Sequence, residues 1–201
     1  MRVGVLASGS GTNVQAILDA ERAGRLGPAK VVVVIANVSD AGALERARAV
    51  GVPAELVEHN AYPTRATFDA ALSSMLRRYD VELVALAGFM RILTPAFLSA
   101  FPERVVNVHP SLLPAFPGVH AQKQALDYGA RVAGCTVHFV DDGLDSGPII
   151  SQAAVTVADG DDLPQLTARI LAEEHRLYPA AICAIAEGRV QIVGRRVKIR
   201  S

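Results

Sequence analysis

Lys30-Val31-Val32-Val33-Val34-Ile35-Ala36 contains five consecutive β-branched residues. Such side chains are stiff at χ1 and pack well on a pleated surface. A run of them without polar alternation reads as a strand covered on both faces, the environment of a parallel sheet flanked by helices. The neighbouring segments fit. Residues 3–7 are a second apolar strand run. Residues 13–22 read as a helix with Val14, Ile17 and Leu18 on one face, and 43–50 as another. Residues 56–58 make a short strand. Residues 64–79 make a helix whose stripe is Phe68, Ala71, Leu72, Met75 and Leu76, and 83–87 a further strand. Thr94 is placed to cap a helix at Pro95–Ala100, with proline at its first position, and Val105–His109 is the next strand. Strand and helix alternate, so the expected fold class is α/β, a doubly wound, Rossmann-like parallel sheet.

The second half reads differently. A short helix at 122–128 precedes two strands, 133–140 and 148–157. Leu163–Ala186 is helical, with a bend expected at Pro179. Residues 191–193 and Arg196–Ile199 form a hairpin around Gly194-Arg195. The parallel sheet is thus extended by C-terminal strands of mixed direction. No repeat, low-complexity segment or linker divides the chain.

Composition removes several function classes. Twenty basic residues balance 20 acidic ones, which argues against a nucleic-acid or anionic-membrane surface. No apolar run approaches membrane-spanning length, and the short first strand runs at once into Gly/Ser residues, unlike a signal peptide. A cytoplasmic location is expected. Cys135 and Cys183 read as free thiols of a reducing compartment. His59, His109, His120, His138 and His175 lack metal-ligand spacing, and no metal is expected. His59 reads as a loop residue, and His138, on a strand, as a satisfied core histidine or else a residue that supports the site from behind.

The chemistry-bearing stretch is Val105-Val106-Asn107-Val108-His109-Pro110. Side chains two apart on a strand share a face, so Asn107 and His109 project together. Pro110 keeps His109 extended, and Pro110, Pro114 and Pro117 stiffen the loop beyond. A polar pair at the end of an apolar strand is where an open α/β sheet places its chemistry. Asp145, in the Gly-rich loop between residues 140 and 148, is able to approach His109, orient its ring and favour its protonated form. Ser8-Gly9-Ser10-Gly11-Thr12-Asn13 links the first strand to the first helix and suits an anion held by backbone amides at a helix start. It is not a dinucleotide fingerprint: Val14 stands at the third glycine position, and Asn37 rather than an acid closes the second strand. It is not an NTPase loop either, because the chain has no Gly-Lys-Ser/Thr. One phosphate monoester is the expected ligand.

Taken together, Asn107-x-His109-Pro110-Ser111-Leu112-Leu113-Pro114, Phe116-Pro117-Gly118-x-His120 and Leu144-Asp145-x-Gly147-Pro148-Ile149 resemble the signature of the folate-dependent formyltransferases. Ala87-Gly88-Phe89-Met90-Arg91-Ile92-Leu93 and Ser8-Gly9-x-Gly11-x-Asn13 extend the resemblance over nearly the whole chain. It implies an enzyme of purine biosynthesis that moves the formyl group of 10-formyltetrahydrofolate to the amine of glycinamide ribonucleotide. Asn107, His109 and Asp145 would be catalytic. Gly11, Thr12 and Asn13 would bind the substrate phosphate, and Glu174 the acceptor's sugar or amine. Arg65, Met90, Arg91, Ile92, Leu93, Asn107, Asp142 and Gly143 would bind the folate, Met90 to Leu93 mostly through backbone groups. His120 matches a family residue near the site without a catalytic role, and Ser111 is not marked as a nucleophile. One domain is expected over 1–201, with a parallel phosphate-binding half at 1–109 and a folate and catalytic-loop half at 110–201. A homodimer is left open.

Two positions depart from the pattern. Ala115 stands where many relatives carry lysine, which removes a contact to the acceptor. Ser146 replaces glycine, which implies a different loop conformation. Formyltetrahydrofolate deformylase and methionyl-tRNA formyltransferase share the Asn, His and Asp set. The first strand's start at Val3, the end at Ser201 and the neutral charge point away from the extra domains those proteins carry. A non-enzymatic folate or phosphate sensor would not need all three polar residues.

Overall fold

The computed structural model of the chain describes residues 1–200. In chain order, β1 is Arg2–Ala7, α1 Thr12–Arg22, β2 Lys30–Ala36, α2 Gly42–Ala49, β3 Ala54–Leu56, α3 Arg65–Arg78 and β4 Leu83–Leu86. Then follow α4 Pro95–Ala100, β5 Val105–His109, α5 Ala121–Tyr128, β6 Val132–Phe139, β7 Ile149–Thr156, α6 Leu163–Ala186, β8 Val190–Val193 and β9 Arg196–Ile199. The strands form one nine-stranded sheet in the order β3-β2-β1-β4-β5-β6-β7-β9-β8. β3, β2, β1, β4 and β5 are parallel, whereas β6 is antiparallel to both β5 and β7. The α/β class and the mixed C-terminal extension follow the sequence reading.

Strand order reverses at β1. From there the chain builds outward to β2 and β3, then returns to add β4 and β5 on the other side. The crevice outside the carboxyl ends of β1 and β4 is therefore the topological switch point, where open α/β sheets bind ligands.

The faces of the sheet bury different helices. Val3, Val5, Val34, Ala85, Val106, Val108, Cys135 and Val137 pack with Val14, Ile17 and Ile182 of α1 and α6. Leu6, Val33, Ile35, Val84, Leu86 and Val105 pack with Phe68, Leu72, Leu76 and Phe97 of α3 and α4. Along β5, Val106 and Val108 alternate with Asn107 and His109, so this polar pair lies on the α3/α4 side. The Tyr178 hydroxyl of α6, fully buried, faces the carbonyls of Leu86 and Val106 at 3.0 Å each. It sits between the ends of β4 and β5 and fixes their spacing just below Asn107.

Three local readings shift. The third strand is Ala54–Leu56 rather than 56–58, paired through Ala54 with Val34 at the sheet edge, and His59 lies in a short 3₁₀ turn, His59–Ala61. Helix α6 runs without interruption through Pro179. Cys135 is fully buried, its thiol pushed up to about 12 by desolvation, whereas Cys183 is half-buried; both are free. No helix among the described residues is long and apolar enough to cross a membrane. A cavity of about 380 Å³ between Met1, Arg104, Ile185 and Ile192 lies at the amino-terminal end of the parallel strands and holds no candidate residue.

Removing the Tyr178 hydroxyl deletes the one buried donor shared by the Leu86 and Val106 carbonyls. Tyr178→Phe is expected to destabilise the fold by about 1–3 kcal/mol, read as a lower urea midpoint at unchanged slope.

Candidate active site

The loops after β1 and β4 are tied to each other across the switch point. Ser8 N donates to the Gly88 carbonyl at 3.1 Å, and Ser8 Oγ accepts the Met90 amide at 2.9 Å. Asp69, buried on α3, accepts the Thr94 amide at 2.6 Å and anchors the far end of the second loop. Phe89 stacks on Phe68 with ring centroids 6.5 Å apart. Sequence reading placed Ser8 in the loop motif without its partner and did not single out Asp69; the partners of both are far away along the chain.

Gly11 caps α1 at φ 74°. A Cβ there would lie 2.6 Å from the Cα of Ala43, so only glycine lets the start of α1 close onto α2. The Gln15 amide is held by the Gly11 carbonyl at 2.9 Å. The amides of Thr12, Asn13 and Val14 precede it, have no partner within the helix, and are capped by no side chain. The Asn13 side chain turns inward: its Nδ2 donates to Glu174 Oε2 of α6 at 2.7 Å, while its Oδ1 is buried without a partner. Glu174 is 5 % exposed, and burial raises its carboxyl to about 7 against the pull of the Asn13 amide.

The ladder between β5 and β6 sets Asn107 opposite His138 and His109 opposite Thr136. Directly opposed residues share a face, so Asn107, His109 and His138 form one polar cluster. Thr136 Oγ1 donates to the Ser111 carbonyl at 2.7 Å and accepts the Leu113 amide at 3.1 Å, which fixes the turn after His109. The His109 ring is nearly buried. Its Nε2 faces the Phe116 carbonyl at 2.9 Å and its Nδ1 lies 3.4 Å from Asp145 Oδ2. Both neighbours are acceptors, so a ring donating at both nitrogens is the doubly protonated one. Asp145 Oδ2 also accepts the Gly118 amide at 2.7 Å. Phe116, His120 and Asp145 all have positive φ, at 52°, 60° and 48°, and so hold strained backbone around this histidine.

The loop bearing Asp145 is pinned at its base. A Cβ on Gly147 would lie 1.8 Å from the Phe139 carbonyl, so glycine is obligatory there. Ser146 Oγ donates to Asp141 Oδ1 at 2.6 Å, and the Arg195 guanidinium of the β8–β9 turn reaches the Ser146 carbonyl at 2.6 Å. The serine departure thus adds a staple inside the loop. Ala115 accepts the Ser111 hydroxyl at its carbonyl, 2.6 Å away, and places no charge in the cleft.

The other candidates surround this cluster less closely. Met90 and Ile92 are 71 % and 59 % exposed, and Arg91 is half-buried between them, whereas Leu93 packs into the core and offers only its backbone. Arg65 is exposed at the first position of α3, and Asp142 and Gly143 are exposed on the Asp145 loop. Exposed Val119 and Leu144 add apolar surface on the loops beyond β5 and β6. Among the described residues, no group of His, Cys, Asp and Glu is arranged to hold a metal ion.

A family model described as formyl transferase matches residues 1–182. The chain belongs to the formyl transferase family. Among its formyl transferase relatives, phosphoribosylglycinamide formyltransferase of Escherichia coli (strain K12) is 44 % identical over 192 residues, which cover 96 % of this chain and 90 % of that protein. The trifunctional purine biosynthetic protein adenosine-3 of Drosophila pseudoobscura pseudoobscura is 47 % identical over 193 residues, 96 % of this chain but 14 % of that protein. The chain therefore spans only about a seventh to a fifth of the trifunctional relatives. The crystal structure of glycinamide ribonucleotide transformylase 1 from Symbiobacterium toebii superposes with a TM-score of 0.98 at 59 % identity, covering 100 % of this chain and 94 % of that one.

Glu174 yields a pH-dependent prediction. Its folded carboxyl titrates near 7 against an ordinary 4.5, so between those values the folded state holds the extra proton and stability falls as pH rises. The penalty, on the order of 3 kcal/mol, is absent below pH 4.5 and complete above 7. Glu174→Gln is expected to match the parent's melting temperature near the lower pH and to exceed it in alkaline buffer.

Proposed function

We propose that this formyl transferase moves the formyl group of 10-formyltetrahydrofolate to the amine of glycinamide ribonucleotide, in purine biosynthesis. The observation that carries the reading is the His109–Asp145 pair beside Asn107, next to a switch-point crevice bounded by an uncapped helix start. The named relatives and solved structures, which share this fold along nearly its whole length, support the same acceptor.

The attacking amine must lose a proton, the leaving nitrogen must gain one, and the formyl oxygen carries negative charge in between. Asn107 donates an amide N–H to that oxygen. Preorganised donors of this kind are worth about 3–4 kcal/mol each. His109, as the imidazolium, donates beside it and gives its proton to the leaving nitrogen; the neutral ring then takes up the proton the amine loses, and Asp145 holds the restored imidazolium in place. To reach the substrate, the His109 ring exchanges its bond to the Phe116 carbonyl for one to the reacting atoms. No covalent enzyme intermediate is required.

The amides at Gly11, Thr12 and Asn13 receive the acceptor's phosphate, a dianion at the positive end of α1. Glu174 sits behind them and meets the acceptor's sugar or amine. The folate fits the apolar rim. Met90 and Ile92 expose flat apolar surface on one side, Leu144 and Val119 on the other, and the backbone from Met90 to Leu93 supplies polar groups for a pterin edge. Arg65 and Arg91 suit the carboxylates of its glutamate tail, and Asp142 and Gly143 close over the ring. On this reading, residues 1–109 supply the phosphate site and 110–201 the Asp145 loop within a single domain, although Met90 to Leu93 and Glu174 each serve the site from the opposite half.

The test is consumption of 10-formyltetrahydrofolate with and without glycinamide ribonucleotide. Turnover that requires the nucleotide is expected; formate release without it would mark a hydrolase, and binding without turnover a sensor. His109→Ala is expected to lower kcat by roughly 10²–10⁴-fold while donor binding persists. Asn13→Asp is expected to raise the acceptor KM at least about tenfold and to leave the donor KM unchanged, because it sets a carboxylate against both Glu174 and the phosphate.

A further inference from the structure

His138 has no part in the chemistry just described, yet it is 2 % exposed and both its ring nitrogens are engaged at the site. Nδ1 lies 2.8 Å from the Phe139 carbonyl, an acceptor, so Nδ1 carries a proton. Nε2 lies 3.3 Å from Asn107 Nδ2 and 3.8 Å from Asp145 Oδ1. An amide nitrogen only donates, so Nε2 meets it as a lone pair, and the ring is the neutral Nδ1–H tautomer. Burial holds the ring below its ordinary titration range. His109 on β5 acts in the same direction, while Asp145, Asp141 and the Phe139 carbonyl oppose it.

The protonation state of this ring and the orientation of the Asn107 amide are therefore one variable. A neutral Nε2 accepts one N–H of Asn107 and leaves the other free. A protonated Nε2 is a donor, and it repels the amide nitrogen. The amide then turns over to offer Oδ1 to the imidazolium, and its N–H groups leave the position they held. The same proton adds a second cation beside Asp145, in competition with His109. With the formyl oxygen in the cleft, the flipped amide can no longer serve as its donor.

We infer that His138 is a positioning residue for formyl transfer: as a neutral acceptor it aims the Asn107 amide at the developing oxyanion, and its protonation switches that donor off. The inference rests on the formyl-transfer reading, but the orientation of Asn107 is measurable without turnover.

The experiment compares the parent, His138→Leu and His138→Gln, each with Asn107 intact and as Asn107→Ala, between about pH 5 and pH 9. Leucine removes the acceptor. Glutamine keeps an acceptor oxygen where Nε2 stood and cannot be protonated. His138→Leu is expected to lower kcat at least about tenfold above neutrality with both KM values little changed. His138→Gln is expected to recover most of that loss and to flatten the acid limb of the kcat profile. In the Asn107→Ala background neither change should matter further. Nitrogen-15 NMR of the ligand-free protein supplies the second readout: the Asn107 side-chain amide should shift with pH in the parent and not in His138→Gln. Losses that multiply in the Asn107→Ala background, or an acid limb and amide shift that survive His138→Gln, would overturn the inference. A parent without formyl transfer but with the pH-dependent amide shift would sink the functional reading while retaining the coupling of His138 to Asn107.

Discussion

The site depends on the phase of β5 in the sheet. Val106 and Val108 must enter the apolar layer beneath α6, and strict alternation then leaves Asn107 and His109 on the opposite face. A slip of one residue would drive an amide and an imidazole into the apolar layer beneath α6 and turn two valines toward the cleft, so the core itself enforces the orientation of the polar pair. The antiparallel pairing with β6 extends this constraint. It sets His138 opposite Asn107 and Thr136 opposite His109, and the turn after His109 is fixed through the Thr136 hydroxyl. Asp145 is carried on the loop that joins β6 to β7, which Gly147 forces against the Phe139 carbonyl. Each of these placements is inherited from apolar packing one layer away.

Much of the fold was readable because its signals are local. Five β-branched residues in a row need both faces covered, and Thr94 followed by proline is a helix start written in two adjacent residues. The bounds of β5 follow from its β-branched run and from Pro110. The misplaced third strand shows the opposite case. Ala54–Leu56 is three residues at the edge of the sheet, with no β-branched side chain, and only pairing with Val34, Ile35 and Ala36 makes it a strand. Helix α6 passes Pro179 because packing on β6, α1 and the central strands outweighs the loss of one backbone donor.

The site was readable in part for the same reason. Asn107 and His109 share a strand, and Asp145 announces itself by the glycines around it; the structure brings Asp145 to 3.4 Å from His109. Asp69 and His138 carry no such local mark, and the Gly-rich loop that marks Ser8 does not show what Ser8 binds. The partners of the three lie 25, 31 and 82 residues away, and an aspartate, histidine or serine with a distant partner looks in sequence like any polar residue that happens to be satisfied. Glu174 stood in an ordinary Glu-Glu-His run, and only the family pattern separated it from its neighbour Glu173. Burial against Asn13 is what distinguishes the two acids, and burial is a property of the tertiary fold.

Helix α6 touches both ends of the cleft. Glu174 grips Asn13 at the start of α1, and Tyr178, one turn further on, grips the ends of β4 and β5 beneath Asn107. Four residues of α-helix span about 6 Å and hardly stretch. The helix is thus a caliper set between the start of α1, the proposed anion site, and the strand that bears Asn107 and His109. An acceptor whose amine stands one bond too near or too far from its phosphate meets a fixed gap rather than a yielding surface. On the proposed function, selection among phosphorylated amines would then be a matter of length, gauged by a helix on the opposite face of the sheet from Asn107 and His109.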